Sequence, residues 1–88
     1  MPVHILTMTF TQRISLSELA ADRLGTILSL ASGRLEMMRL ASLGFTPGAE
    51  VSMTQNYGRG PLIVTVRGTR VALGRGEAAQ IFVQPEQV

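Results

Sequence analysis

The stretch Leu-Gly-Phe-Thr-Pro-Gly, residues 43–48, constrains the fold of this chain more than any other feature. An apolar run typical of a helix precedes it, and Gly44 suits the left-handed conformation in which many helices end. Pro47 cannot continue a helix and, together with Gly48, predicts a tight turn. Apolar and polar residues alternate immediately afterwards, which is typical of a strand. The chain is therefore expected to change abruptly from helix to strand here.

The predicted helix covers residues 32–44, with Ser32 as its cap. Its apolar residues form a broad stripe that we expect to pack in the core. They are Leu35, Met37, Met38, Leu40 and Leu43. Met37 and Met38 are adjacent, so their side chains point about 100° apart on a helix. Core packing is therefore favoured for these two thioethers over shared ligation of a copper ion.

The rest of the chain has the alternation of β-strands. The predicted strands cover residues 3–11, 25–31, 51–53, 62–67, 71–73 and 81–83. Arg-Gly-Thr-Arg, residues 67–70, is expected to form a two-residue hairpin turn of type II′ with Gly68 at its first central position. Residues 56–61 are expected to form a loop, residues 74–80 a single helical turn, and Pro85 the start of a frayed tail.

A second, short helix is predicted over residues 15–21, where Glu18 follows Ser15 by three positions as in a capping box. The short strands and the single long helix together predict a mainly β fold. We expect a small β-barrel, a strongly bent sheet that closes on itself, with one inserted α-helix and a short N-terminal helix.

The length of 88 residues indicates one domain, residues 1–88, with a core too thin to enclose a deep catalytic cleft. All eight basic residues are arginines spread along the chain, and the net charge is only +2, so nucleic acid is not an expected partner. No cysteine is present, no apolar run is long enough to insert into a membrane, and the start lacks the pattern of a secretory signal. These features favour a cytoplasmic protein.

Residues that could carry catalysis or hold a cofactor are few. His4 is the only histidine, so neither a metal site with two imidazole ligands nor a serine nucleophile with an adjacent base is expected. Glu18 and Asp22 could share a helix face, but no buried pocket is expected to adjust their pKa values for acid–base catalysis. The chain has no lysine, which excludes a Gly-Lys-Ser/Thr phosphate loop. The residues favour a binding module without a cofactor over an enzyme.

Three stretches of the sequence resemble the ferrous iron transport protein A (FeoA) family. They are ISLSELA (residues 14–20), RLASLGFTPGAEV (residues 39–51) and PLIVTVRGTRVALGRGEAAQIFV (residues 61–83), and the resemblance covers residues 14–84. It implies an SH3-like barrel with a helix inserted after the first barrel strand. It also implies a cytosolic accessory protein of bacterial ferrous iron uptake, which docks on a large membrane transporter with a cytosolic GTPase domain and regulates it.

The contact with the transporter, through its GTPase domain or its membrane part, would use exposed apolar or arginine side chains on loops. The candidates are Phe45, Tyr57 and Arg59, although an apolar residue at the position of Phe45 also suits a core. The sequence departs from the family pattern in the Gly-Arg-Gly of residues 58–60, where the family often carries an acid. It also has an extra strand-like segment, residues 1–12. We expect this segment to add to a barrel edge, either of the same chain or of a second copy in a homodimer.

Two alternative functions stay open. The chain could be a stand-alone metal-sensing domain related to the C-terminal SH3-like domain of iron- or manganese-dependent repressors, although 88 residues leave no room for a helix-turn-helix and a dimerisation region. It could also bind a divalent metal weakly through oxygen ligands. The carboxylates available for this are those of Glu36, Glu50 and Glu77.

Overall fold

The structure, a computed structural model, describes residues 12–86. The strands are β1 (Ile14–Ser15), β2 (Leu24–Leu30), β3 (Glu50–Gln55), β4 (Leu62–Val66), β5 (Thr69–Leu73) and β6 (Ile81–Pro85). A 3₁₀ turn covers Leu16–Glu18, α1 covers Arg34–Ser42 and α2 covers Arg75–Ala78. The six strands form one antiparallel sheet in the order β1-β6-β2-β3-β4-β5. The predicted mainly β fold with an inserted helix is confirmed, and the strand predicted over residues 3–11 lies outside the described residues.

One face of the sheet carries the hydrophobic core. Every second side chain of β4 and β6 is buried, as period-two alternation requires. The main core residues are Leu16, Leu19, Ile27, Leu40, Phe45, Val51, Met53, Leu62, Val64, Val66, Leu73, Ala78, Ile81 and Val83. Within the described residues no polar or charged residue is buried, so the side chains of the interior are apolar.

Two irregularities in strand pairing bend the sheet around this core. The register of β2 against β6 shifts between Ile27 and Ser29, and that of β3 against β4 shifts between Met53 and Gln55. Irregularities of this kind bend the strand and increase its local twist. Because β2 lies between β6 and β3 in the sheet, its bend allows both sides of the sheet to cover the same core.

The end of α1 has the hydrogen bonds of a Schellman motif. Gly44 has a φ of 107°, its N–H donates to the Ala41 carbonyl at 3.0 Å, and the Phe45 N–H donates to the Leu40 carbonyl at 2.9 Å. Phe45 and Leu40 are both buried, which supplies the apolar contact that usually accompanies this motif. The predicted helix end at Gly44 is confirmed.

The turn that follows is of type II. Pro47 and Gly48 are its central residues, Gly48 has a φ of 91°, and the Ala49 N–H donates to the Thr46 carbonyl at 3.0 Å. The chain then joins the sheet at once, because the Ile27 N–H donates to the Ala49 carbonyl at 2.9 Å. The predicted Pro47–Gly48 turn is confirmed.

The prediction that the apolar stripe of α1 packs in the core is wrong. Leu35 is 83% exposed, Met38 62% and Met37 40%, and Leu40 is the only buried residue of the helix. The helix contributes Leu40 to the core, and Leu43 just after it packs partly against the same core. The predicted cap is also wrong, because Gly33 occupies the N-cap position without a side-chain hydrogen bond.

The hairpin between β4 and β5 differs from the predicted type II′ turn. Val66 pairs with Thr69, so Arg67 and Gly68 are the two central residues. Their φ values are 49° and 77°. Positive φ at both central positions identifies a type I′ turn, with Gly68 second and not first. The prediction placed the turn one residue too late.

The two ends of the described chain also differ from the prediction. Instead of a helix over residues 15–21, the chain forms β1 followed by a 3₁₀ turn, although the Glu18 carboxylate does accept the Ser15 N–H at 3.1 Å, as a capping box requires. At the other end Pro85 is not a frayed tail. It is the last residue of β6, is buried, and pairs with Gly25.

Glu50, at the start of β3, and Glu86, just after β6, have neighbouring carboxyl groups. A hydrogen bond between the two raises the pKa of Glu86, and loss of hydration and the negative charge of Glu50 act in the same direction. The folded protein therefore holds a proton on Glu86 more tightly than the unfolded chain does. Folding stability consequently falls as the pH rises through the raised pKa of Glu86.

We expect the change Gly44→Ala to destabilise the protein by about 1–3 kcal/mol, a range typical of residues forced into sparsely populated backbone regions. An added Cβ would lie 3.0 Å from Arg67 Cδ, on a backbone whose φ is 107°. Gly76→Ala is the control, because nothing lies within 4 Å of its added Cβ and no positive φ is involved. It should stabilise α2 by about 0.5–1 kcal/mol. Urea unfolding of both variants measures the difference, and equal effects would contradict the expected role of Gly44.

We expect Glu50→Ala to lower the pKa of Glu86 towards its ordinary value, because the change removes both the hydrogen bond and the negative charge. The fall in stability with rising pH should become shallower in the variant. Carbon-13 NMR titration of the Glu86 carboxyl group, with urea unfolding across the same pH range, measures both effects. An unchanged Glu86 titration would contradict the pairing.

Candidate protein-binding surface

Phe45 does not belong to a contact surface. It is 1% exposed and lies in the core, as the second residue of the helix-ending motif. Truncating a buried phenylalanine to alanine costs about 3–5 kcal/mol, a large share of the roughly 5–15 kcal/mol that holds a small domain folded. The prediction of Phe45 as a contact residue is therefore wrong, and a loss of binding in a Phe45 variant would report unfolding.

The loop between β3 and β4 is fixed by Asn56. Its Nδ2 donates to the Leu19 carbonyl at 2.8 Å and to the Ser17 carbonyl at 3.0 Å, and its Oδ1 accepts the Gly58 N–H at 3.0 Å. The last bond forms an Asx turn, which asparagine makes readily. The loop thus begins firmly attached to the 3₁₀ turn at the start of the domain.

Arg75 holds the same loop from the other side. Its Nη2 donates to Asn56 Oδ1 at 2.6 Å, its Nη1 to the Ser17 carbonyl at 3.2 Å, and its Nε to the Gly60 carbonyl at 3.3 Å. A planar guanidinium group can make such a set of bonds because its donors are held in a rigid fork. We call Asn56 and Arg75 together the loop clamp.

The sequence alone does not predict the loop clamp. The pattern Asn-Tyr-Gly favours an Asx turn around Asn56, which was a usable local signal. Nothing in the sequence connects it to Arg75, 19 residues further on, or to Ser17, 58 residues before Arg75.

Tyr57 and Arg59 are the side chains that the clamped loop presents. Tyr57 is 77% exposed, and Arg59 is exposed and has no ion pair within residues 12–86. Gly58 and Gly60 have φ values of 84° and 73°, so the backbone turns tightly on either side of Arg59. An aromatic ring and a guanidinium group therefore project from a loop whose base is immobilised by side-chain bonds.

The three carboxylates considered for weak metal binding do not form one cluster. Arg39 forms ion pairs with both Glu36 and Glu77, and Glu50 lies beside Glu86. Across residues 12–86 no three acidic or histidine side chains are grouped closely enough to hold a metal ion.

Within the same residues, no helix has the length and apolar character that crossing a membrane requires.

Glu18 and Asp22, the pair considered for acid–base chemistry, have different contacts in the structure. The Glu18 carboxylate accepts the Ser15 N–H, and Asp22 has a φ of 68° in the turn before β2, where its N–H donates to the Met53 carbonyl at 2.8 Å. Neither residue is buried, and the two carboxylates do not face a common enclosed site.

Comparison with known proteins places residues 14–85 within a family model described as the FeoA domain. A protein of Methanocaldococcus jannaschii that carries the provisional name Fe(2+) transport protein A is 38% identical over 48 residues. That alignment covers 54% of this chain and 57% of the relative, so the match spans little more than half the length of the curated relative.

Solved structures match the fold more completely. The crystal structure of an iron uptake regulatory protein, FeoA, has a TM-score of 0.80 at 31% identity and covers 85% of this chain and 100% of its own. FeoA of Stenotrophomonas maltophilia, solved with zinc and described as an SH3 domain protein, has a TM-score of 0.73 at 33% identity, with 84% of this chain and 96% of its own covered. The SH3-like fold implied by the sequence resemblance is confirmed.

A manganese-dependent transcriptional repressor also has this fold. It aligns with a TM-score of 0.78 over 88% of this chain and 44% of its own, but at 18% identity the likeness concerns architecture only. The family model, in contrast, matches the sequence itself from β1 to the end of β6. The chain therefore belongs to the FeoA-domain family.

Proposed function

We propose that this protein is a cytosolic accessory and regulatory protein of ferrous iron uptake, which docks on the membrane transporter that carries a cytosolic GTPase domain. The observation that carries the proposal is the FeoA-domain match over residues 14–85. The names of two relatives, an Fe(2+) transport protein A and an iron uptake regulatory protein, also refer to iron transport or uptake. The role is binding and regulation, and the protein supplies no chemistry of its own.

The clamped loop is the contact that we propose for this docking. Tyrosine and arginine are among the residues that most often dominate binding energy at interfaces. The loop clamp holds the backbone around Tyr57 and Arg59 before any partner arrives, so less conformational entropy is lost on binding. A large aromatic side chain left 77% exposed on such a rigid base is well suited to insert into a partner pocket.

A metal-sensing module is the alternative, favoured only by the fold it shares with a manganese-dependent repressor. Calorimetric titration with ferrous and manganous ions separates the two functions. Binding much tighter than millimolar in the isolated protein would favour metal sensing, whereas its absence would leave docking as the better account.

The docking proposal predicts saturable binding of this protein to the purified cytosolic GTPase domain of its own organism's ferrous transporter, with or without nucleotide. Tyr57→Ala and Arg59→Ala should each weaken binding about tenfold, the loss expected for an interface residue that contributes roughly 1.4 kcal/mol. Arg34→Ala is the matched control, because Arg34 is likewise an exposed arginine but lies at the start of α1, outside the loop. No binding in any nucleotide state would refute docking on this domain.

The loop clamp yields a separate prediction. Asn56→Ala removes the hydrogen bonds to Ser17, Leu19 and Gly58 but leaves Tyr57 and Arg59 in place. We expect faster amide exchange at residues 57–60 and severalfold weaker binding to the same GTPase domain, because the loop must then be ordered on binding. Unchanged affinity together with faster exchange would show that the rigidity of the loop does not contribute.

A further inference from the structure

The β5 strand is the last strand of the sheet and pairs only with β4 within the described residues. Val66 and Thr69 flank the two-residue turn, so they form a hydrogen-bonded pair, and the same bonding recurs at every second residue of an antiparallel pair. The N–H and C=O groups of Arg70 and Ala72 consequently point away from β4. This edge of the sheet has backbone groups available to a further strand.

The side chains along β5 suit an added strand. Val71 and Leu73 lie on the core face, opposite Val64 and Leu62, whereas Arg70 and Ala72 lie on the outer face and are exposed. Ala72 is small and uncharged, so it leaves room for a neighbouring backbone. Five residues of β5 span roughly 16 Å, enough to pair with a short extended segment.

Arginines dominate the sequence around this edge, although Glu50 lines a cavity with Arg67 and the Glu77 carboxylate accepts the Gly74 N–H just after β5. Residues 51–76 contain four arginines, Arg59, Arg67, Arg70 and Arg75, and no aspartate or glutamate. Across residues 12–86 the ion pairs involve only Arg39, so none of these four has a carboxylate partner there. Arg70 lies at the hairpin end of β5, and the loop that carries Arg59 precedes the other end, where Leu62 pairs with Leu73.

A charged residue on an edge strand is also a common defence against aggregation. Arg70 would act in this way against a second copy of the same chain, because two identical edges would bring like charges together. The same charge attracts an acidic strand. The charge of Arg70 therefore disfavours registers that would bring two copies of this arginine together, and it favours a partner of opposite charge.

We propose that the β5 edge binds an extended acidic segment of the transporter, which pairs with the backbone of Arg70 and Ala72 and places a carboxylate beside the Arg70 guanidinium. The proposal rests on the docking function above and adds the kind of segment that is recognised. Main-chain hydrogen bonds hold such a segment, and side-chain charge selects it. The exposed loop with Tyr57 and Arg59 extends the contact beyond the end of the strand.

The test measures binding of the purified cytosolic GTPase domain to edge variants of this protein. Ala72→Pro removes an N–H that β4 does not use, so the strand should still fold. It should weaken binding at least tenfold, whereas the control Ala72→Ser should stay within threefold of the unchanged protein. Arg70→Glu should weaken binding more than Arg70→Gln, and the difference between the two should shrink at high salt.

Amide hydrogen exchange of the unchanged protein provides a second measurement that does not depend on the folding of any variant. The Arg70 and Ala72 amides should exchange quickly in the free protein and slowly when the GTPase domain is bound. Slow exchange already in the free protein would mean that the edge is covered by this chain or by a second copy. That result would overturn the proposal.

Two other outcomes would also overturn it. If the GTPase domain binds but neither the edge variants nor the two amides respond, the β5 edge is not the contact, and the docking function stands without it. The other outcome is binding to vesicles of phosphatidylserine and phosphatidylcholine. If the unchanged protein and the Ala72→Pro variant bind these vesicles equally well, and the Arg70→Glu variant binds them poorly, the basic edge binds lipid charge and not a strand. Complete absence of binding to the GTPase domain would refute docking on that domain and, with it, the strand contact proposed here.

Discussion

The left-handed backbone at Gly44 is the constraint on which the rest of the structure depends. It ends α1 by a Schellman motif and turns Phe45 into the core beside Leu40. The type II turn that follows brings Gly48 and Ala49 against Ile27. The Ile27 carbonyl accepts the Gly48 N–H, and the Ile27 N–H donates to the Ala49 carbonyl. The start of β3 is therefore aligned on β2 by local backbone geometry. An L side chain at this glycine would meet both an unfavourable φ and the Arg67 side chain.

The sheet forms the base to which the loop proposed for docking is attached. The loop clamp connects three segments distant in sequence, the 3₁₀ turn, the β3–β4 loop and the start of α2, through the amide of Asn56 and the guanidinium of Arg75. Neither group is in the core, yet their bonds fix the loop that presents Tyr57. In the function that we propose, stability and recognition are thus separated, since apolar side chains pack the core and surface hydrogen bonds shape the loop proposed for docking.

The distribution of charge supports recognition over catalysis. Carboxylates near the helices are already engaged, with Arg39 between Glu36 and Glu77 and with Glu18 accepting a backbone N–H. The arginines of the β4–β5 region have no such partners within the described residues. Guanidinium groups without carboxylate partners beside an open strand edge suit the acidic partner that we propose, and a small net charge of +2 conceals them. The proposal therefore rests on the local arrangement of charge more than on the total charge.

Features that depend on neighbours in sequence were predictable from the sequence. Alternation located the strands, and Gly44, Pro47 and Gly48 located the change from helix to strand, because these residues restrict their own backbone. Family resemblance added the SH3-like fold. The tertiary structure alone decided which predicted faces are covered. A 3.6-residue period shows that Leu35 and Met38 share a side of α1, but only the packing of the folded chain, which buries Leu40 alone among the helix residues, leaves that side exposed. Burial of Phe45, pairing of Pro85 and the bonds of Arg75 likewise depend on segments that are distant in sequence and adjacent only after folding.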